Sequence, residues 1–352
     1  MWAGTWPAFL ATILRSLLRV VLERPPDALE RNKAFASYLP RSRHITSSVG
    51  SIGAAAAVAK ILGLSASEIA HAIGIAATQV VGLREMFGSH TKSFHPGRAA
   101  QCGLLAAFMA QGGYTSSDRA LEAKRGWANV VGATKADVQQ NLEKWLGIED
   151  NTVGLARGGA GRWEVLRNSF KPFPCGIVVH PIIDACARLH QDLAKIGLIP
   201  SNIKTVVAKV HPLVLELTGK REPQTGLEAK FSVYQGAACG LLFGKATPAE
   251  YEDGVVKDAQ VICLRDRIDA VSSEKLAADQ ATVVLYLDNG QVLERHVDHA
   301  IGSIEVPMDD ASLEKKFIGQ CAAVLGDDVK RASDACWAVE NLQDIASITA
   351  FF

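Results

Sequence analysis

The stretch HITSSVGSIGAAAAVAKILGLSASEIAHAIGIAATQVVGLREMFGSHTKSFHPGRAA, opening at His44, constrains this chain more than any other part of it. A run such as Gly53-Ala54-Ala55-Ala56-Ala57 carries no bulky side chain, so helices passing there can approach closely and build a rigid wall. The polar groups stand at the ends of the block. His44 opens it, and Lys92, His95 and Arg98 close it within seven positions. A folded-back helix pair would gather these groups into a cationic end suited to a small polyanion.

Apolar residues recur at three- and four-residue intervals over residues 47–113, with breaks at Gly63, Gly88, Pro96-Gly97 and Gly112-Gly113, which predicts three helices. Ser65 and Glu68 have the spacing of a capping box, and TSSD at 115–118 predicts a further helix start. Near Gly158 the stretch RGGAGRW reads as a flexible crossing into a segment richer in β-branched residues. There IKTVVAKV (203–210) and ATVVLYL (281–287) predict strands, and Asn289-Gly290 predicts a hairpin into another strand over 291–297. Helices are expected over 181–195 and 227–243, and helical patterning returns from Ser312. The middle third therefore reads as a small α+β domain beside helical segments.

With 352 residues the chain has length for two domains. Thirty-seven basic residues balance thirty-seven acidic ones, so no global field draws it to nucleic acid or to an anionic membrane, and any anion site must be local. Seven scattered cysteines without C-x-x-C spacing indicate a reducing, intracellular setting, cytoplasmic or mitochondrial, rather than secretion. The N-terminal run MWAGTWPAFLATILRSLLRVVLERPP is interrupted by Arg15 and Arg19 and lacks a small-residue cleavage site, so it reads as an amphipathic helix rather than a signal sequence. No apolar run approaches the ~20 residues of a membrane span.

Several residues have two readings on their own. His44 stands before a helix start, where it is either a surface histidine near a cap or a ring facing an anion site. Lys92 in SHTKSFHPG is a solvated lysine or a point-charge anchor, His95 a packing residue or a second proton carrier, and Arg98 a partner for a structural carboxylate or for substrate. Lys171 in KPFPCGIVVH lies where Pro172 and Pro174 stiffen the chain, and His180 of the same segment reads as a cap for the helix that follows. Tyr234 in EAKFSVYQGAA could set its hydroxyl on an apolar wall, with Lys230 and Ser232 as neighbouring candidates. His296 and His299 have metal-pair spacing but read as exposed. No G-x-S-x-G elbow or strand-linked phosphate loop is present.

The opening block, with KPFPCGIVVHPIIDA, LEAKFSVYQGAA and HAIGSIEVPM in the same order, resembles the MmgE/PrpD family of 2-methylcitrate dehydratases and cis-aconitate decarboxylases. The resemblance runs from about residue 44 to 317 and implies α plus α+β architecture. A large helical domain would be formed by residues 1–166 and 304–352, with a smaller α+β lid over 167–303. It implies active-site roles for His44 and for Lys92 of a K-x-x-H-x-G pattern shared with His95 and Gly97. Lys171 of KPxPxC then becomes an anion ligand, and Tyr234 and His95 proton-transfer candidates, with Arg98 and Lys230 as further anchors. The implied reaction is metal- and cofactor-independent loss of water from 2-methylcitrate or a longer 2-alkylcitrate, catalysed by a homodimer whose two lobes close over the polyacid. Decarboxylation of cis-aconitate is the enzymatic alternative. Residues 1–43 show little of the family pattern, and no counterpart of an Asp, Thr and His that relatives carry in a longer N-terminal region is found. A shortened, non-catalytic homologue or partner subunit is therefore the third reading.

Overall fold

A computed structural model describes residues 44–80, 82–131 and 169–351. The chain divides into two compact units, residues 1–168 and 169–352. The expected N-terminal amphipathic helix and the crossing near Gly158 lie outside the described residues.

In the first unit, α1 (Ile45–Ile61), α2 (Ala66–Ala77) and α3 (His90–Gln111) pack around a small-residue core of Ile52, Ala55, Ala56, Ala72, Ile73, Ala76, Ala106 and Ala110. Helix α2 starts on the predicted capping box: the Ser65 N–H donates to the Glu68 carboxylate at 2.7 Å, and the Glu68 N–H donates to Ser65 Oγ. A Cβ on Gly50 would lie 3.3 Å from the Ala99 Cβ, and one on Gly103 would lie 2.4 Å from the Ala54 Cβ. Because these pairs advance together along both chains, α1 and α3 run parallel, with their N-termini at the same end. The residue that permits the close approach is Gly103, whereas a Cβ on Gly53 would meet nothing within 4 Å.

Two boundaries differ from expectation. Pro96 and Gly97 do not end a helix; they lie inside α3. Proline in a helix interior costs about 3 kcal/mol through its missing donor and ring clash. Here the burial of His95, Ala99, Cys102, Ala106, Ala107 and Ala110 on one face outweighs that local preference. The TSSD segment also starts no helix. Ser116 is instead used sideways, its hydroxyl donating to the His71 carbonyl at 3.0 Å and its N–H to His71 Nδ1 at 3.2 Å, which ties the segment to α2. Among the described residues of this unit, only the short α4 (Trp127–Val130) follows.

The second unit is α plus β. Helix α5 (His180–Lys195) leads into β1 (Ile203–Val210), followed by α6 (Pro212–Thr218), α7 (Gly226–Ala229), α8 (Val233–Phe243), α9 (Asp253–Val256) and α10 (Ala259–Arg265). Strands β2 (Ile268–Ser272), β3 (Ala281–Leu287) and β4 (Val292–Val297) complete a sheet of order β2-β1-β3-β4. β1 pairs parallel with β2, and β3 antiparallel with β1 and β4. The β3–β4 hairpin turns at Asn289-Gly290 as predicted, with the Gly290 N–H donating to the Leu287 carbonyl at 3.0 Å. Ile182, Leu189 and Leu193 of α5, and Val233, Ala237 and Leu241 of α8, share one core with Val206, Ala208, Val283 and Leu285 of the sheet.

The helix expected over 227–243 is broken into α7 and α8 at residues 230–232, because the buried Ser232 hydroxyl caps α8 by accepting the Gln235 N–H at 3.1 Å. Helices α11 (Asp310–Leu325), α12 (Val329–Trp337) and α13 (Ala346–Thr349) carry the expected helical tail. Asp309 caps α11 by accepting the Ser312 N–H at 2.8 Å, and these residues group with the second unit. Among the described residues, no helix is long and apolar enough to cross a membrane.

Candidate functional site

The first unit brings three of the expected residues together. His44 stands immediately before α1, where its N–H donates to the Gly82 carbonyl at 3.0 Å. Gly82 has a φ of 148°, and a Cβ there would come within 2.4 Å of the Ser47 Cβ, so only glycine lets the loop close over the start of α1. His95, one and a half turns into α3, is buried. The parallel course of the helices brings the two rings together, Nδ1 to Nδ1 at 2.9 Å with centroids 4.8 Å apart, and Phe87 stands edge-on to His44. Such a contact needs one proton between two nitrogens, so one ring donates and the other accepts.

Burial, then the neighbouring His95, Lys92 and Arg84, lowers the His44 pKa to about 4. Burial and then Lys92 lower that of His95. Both rings are therefore uncharged at neutral pH, beside two cationic side chains and, for His44, the N-terminal end of α1. Arg84 lies in a single 3-10 turn, Arg84–Met86, and was not expected in the cluster. Arg98 was expected, but its Nη1 donates to Gln101 Oε1 at 2.8 Å on its own helix, and it is not among the charges that depress either histidine.

The second unit gathers another set of predicted residues. Lys171 Nζ donates to the Cys175 carbonyl at 3.1 Å, and the Gly176 N–H donates to the Lys230 carbonyl at 3.0 Å. Both lysines act on the buried Cys175 thiol, which burial nevertheless pushes up to about 12. His180 does not cap its helix. It is the first residue of α5, with the Phe173 ring perpendicular to its own and its Nε2 buried without a hydrogen-bond partner among the described residues. Burial first, and then Lys171, lowers its pKa to about 3, and Lys316 of α11 adds to that effect. Phe173 of the KPFPC loop thereby packs against the start of α5.

Tyr234 lies on α8 with its ring in the sheet-side core and the Arg221 guanidinium 5.0 Å from its centroid. Arg221 carried no pattern that would single it out from sequence. His296 bonds Thr282 Oγ1 and Asp298, and His299 bonds Asp279, so each is committed to a local partner. Among the described residues, no group of three or more His, Cys, Asp or Glu is placed to hold a metal ion.

Comparison with known proteins matches the MmgE/PrpD N-terminal domain over residues 30–139 and the MmgE/PrpD C-terminal domain over residues 173–339. The match therefore starts ahead of His44, inside a segment expected to resemble the family poorly. Cis-aconitate decarboxylase from Homo sapiens is 26% identical over 326 residues, covering 89% of this chain and 63% of that protein. 2-Methylcitrate dehydratase from Salmonella typhimurium is 25% identical over 267 residues, covering 71% of this chain and 52% of that protein. The cis-aconitate decarboxylase of Aspergillus terreus is 24% identical over 321 residues, covering 87% and 63%. The chain thus spans less than two thirds of the length of these relatives. With a domain model matched in each of its two units, the chain belongs to the MmgE/PrpD family.

Proposed function

We propose that this protein is a lyase acting on a small tricarboxylate, eliminating water from 2-methylcitrate or a longer 2-alkylcitrate to give an aconitate-type alkene. The observation that carries the reading is the His44–His95 contact beside Lys92 and Arg84, in a chain of this family. Elimination needs a group that accepts a methylene proton, a group that protonates the departing hydroxyl, and fixed cations for charge building on the carboxylate. His44 is assigned the proton transfer, with His95 behind it, and Lys92 the stabilising charge. Lys171 and Lys230 are assigned as carboxylate anchors, and the Tyr234 hydroxyl as a second proton donor. Arg98 comes last among the anchors, because Gln101 already holds its guanidinium. The working form is proposed to be a homodimer.

A second reading, decarboxylation of cis-aconitate, is favoured by the greater share of the chain that aligns with the human decarboxylase than with the bacterial dehydratase. Both reactions draw on the same cations and differ in which bond is held in line with the proton donor. The test is to incubate the purified protein with citrate, 2-methylcitrate, a long-chain alkylcitrate and cis-aconitate and to follow the products by mass. Loss of water from an alkylcitrate supports the first reading, and carbon dioxide from cis-aconitate the second. If all four compounds remain intact at high enzyme concentration, neither stands.

A further inference from the structure

We infer that His44 and His95 share one proton, behave as a single acid–base couple, and take up one further proton when an anion neutralises Lys92. This rests on the tricarboxylate reading for the identity of the anion, but the shared proton itself follows from geometry alone.

At an Nδ1-to-Nδ1 distance of 2.9 Å, two protons would collide and two lone pairs would repel. Exactly one nitrogen must carry hydrogen, and this sets the whole proton inventory. The accepting ring, if neutral, holds its hydrogen on Nε2. The donating ring, if neutral, has a bare Nε2 lone pair. The couple thus presents one acidic and one basic nitrogen, on the far sides of the two rings from the shared proton. A second added proton would have to go onto the bridging nitrogen that is accepting, which would break the contact. The pair therefore titrates between zero and one positive charge as a unit, and its two rings have no separate acidities.

The surroundings decide which state is populated. The rings meet at the N-terminal end of α1, against the second turn of the parallel α3. The charges acting on His44 come from Lys92 on α3 and from Arg84 in the turn before α3, both positive, while Phe87 covers its edge. Burial first, and then these charges, leave an uncharged couple in the free protein. A polyanion seated on Lys92 offsets the cationic part of that penalty, and by reciprocity the couple binds a proton with the anion.

That added proton is the one that the chemistry transfers. In dehydration the couple gives it to the hydroxyl, which leaves as water with the C–O electron pair. The couple regains a proton from the methylene as the C–H pair becomes the π bond. In decarboxylation the proton goes to the carbon that loses carbon dioxide and takes the electron pair of the broken C–C bond. His95 is the positioning residue in either case, fixing which nitrogen of His44 is free.

The experiment has two arms on the full chain. First, nitrogen-15 NMR of the histidine rings near neutral pH, without ligand, should show one of the pair protonated at Nδ1 and the other at Nε2. Two Nε2–H rings, or two rings titrating independently, would overturn the inference whatever the protein binds. Second, calorimetric titration with tricarballylate, a non-reacting tricarboxylate, in two buffers of unequal ionisation heat should show uptake approaching one proton per site. His95→Phe should abolish the uptake, and His95→Asn, which keeps an acceptor, should retain part of it. Binding without proton uptake overturns the coupling and leaves the tricarboxylate reading standing. Absence of binding overturns that reading, and the ring spectrum still decides the shared proton.

Discussion

Gly103 of α3 faces Ala54 of α1 so closely that a side chain at position 103 would put its Cβ 2.4 Å from the Ala54 Cβ and 2.6 Å from the Ala55 backbone nitrogen. The backbone atom cannot rotate away, so any larger residue forces the two helices apart. Gly103→Ala is expected to destabilise the first unit by about 1–3 kcal/mol, as overpacking does. Gly53→Ala, where a Cβ meets nothing within 4 Å, should instead be neutral or stabilise by up to about 1 kcal/mol through better helix propensity. Thermal melts of the two variants side by side check this, and equal destabilisation would refute the close-approach account.

Lys92 bears on both histidines, so its removal has an electrostatic signature as well as a kinetic one. Lys92→Ala and His44→Ala should each lower turnover by about a hundredfold or more. In Lys92→Met, where the stem is kept and the charge lost, the His44–His95 couple should protonate at higher pH than in the wild type. Histidine NMR shifts followed across a pH titration measure it, and an unmoved midpoint would remove Lys92 from the cluster.

Histidines held neutral in the fold make stability depend on pH with a definite sign. In the unfolded chain these histidines protonate near 6.5, whereas in the fold burial lowers His180 to about 3 and shifts the His44–His95 couple in the same direction. Between those values the unfolded state binds more protons, so stability is complete above pH 6.5 and is lost as pH falls. For buried His180 the loss amounts to the order of a few kcal/mol. Melting temperature should be level above pH 7 and decline below 6.5, and His180→Leu should flatten the decline of the second unit.

The Tyr234 ring is held by core packing and by Arg221, neither of which needs its hydroxyl. Tyr234→Phe should therefore melt within about 0.5 kcal/mol of the wild type, as conservative changes away from named defects do. Its turnover should fall, and wild-type turnover in this variant would release Tyr234 from the proton-donor role.

Much of this was readable in advance where a pattern is local. IKTVVAKV alternates in burial as its apolar spacing requires, and the Asn289-Gly290 turn fixed β3 and β4 to within a residue. β2 went unread because IDAVS is five residues long with a charged second position, and it becomes a strand only through parallel pairing with β1 some sixty residues earlier. Pro96 misled for the opposite reason: its local preference is real, but packing across the α1–α3 face overrules it. At the site, His44, Lys92 and His95 carried the family spacing. Arg84 had no spacing to betray it, since it reaches His44 only once the turn after α2 has folded back.

The outer strand β4 bears on how this protein behaves at high concentration. Its Glu294, Arg295 and His296 are exposed, and Arg295 is pinned to Asp192 of α5 at 2.6 Å. A strand from a neighbouring molecule that tried to extend the sheet there would have to strip water from these charges and displace that ion pair. The charged border thus disfavours edge-to-edge addition of a foreign strand.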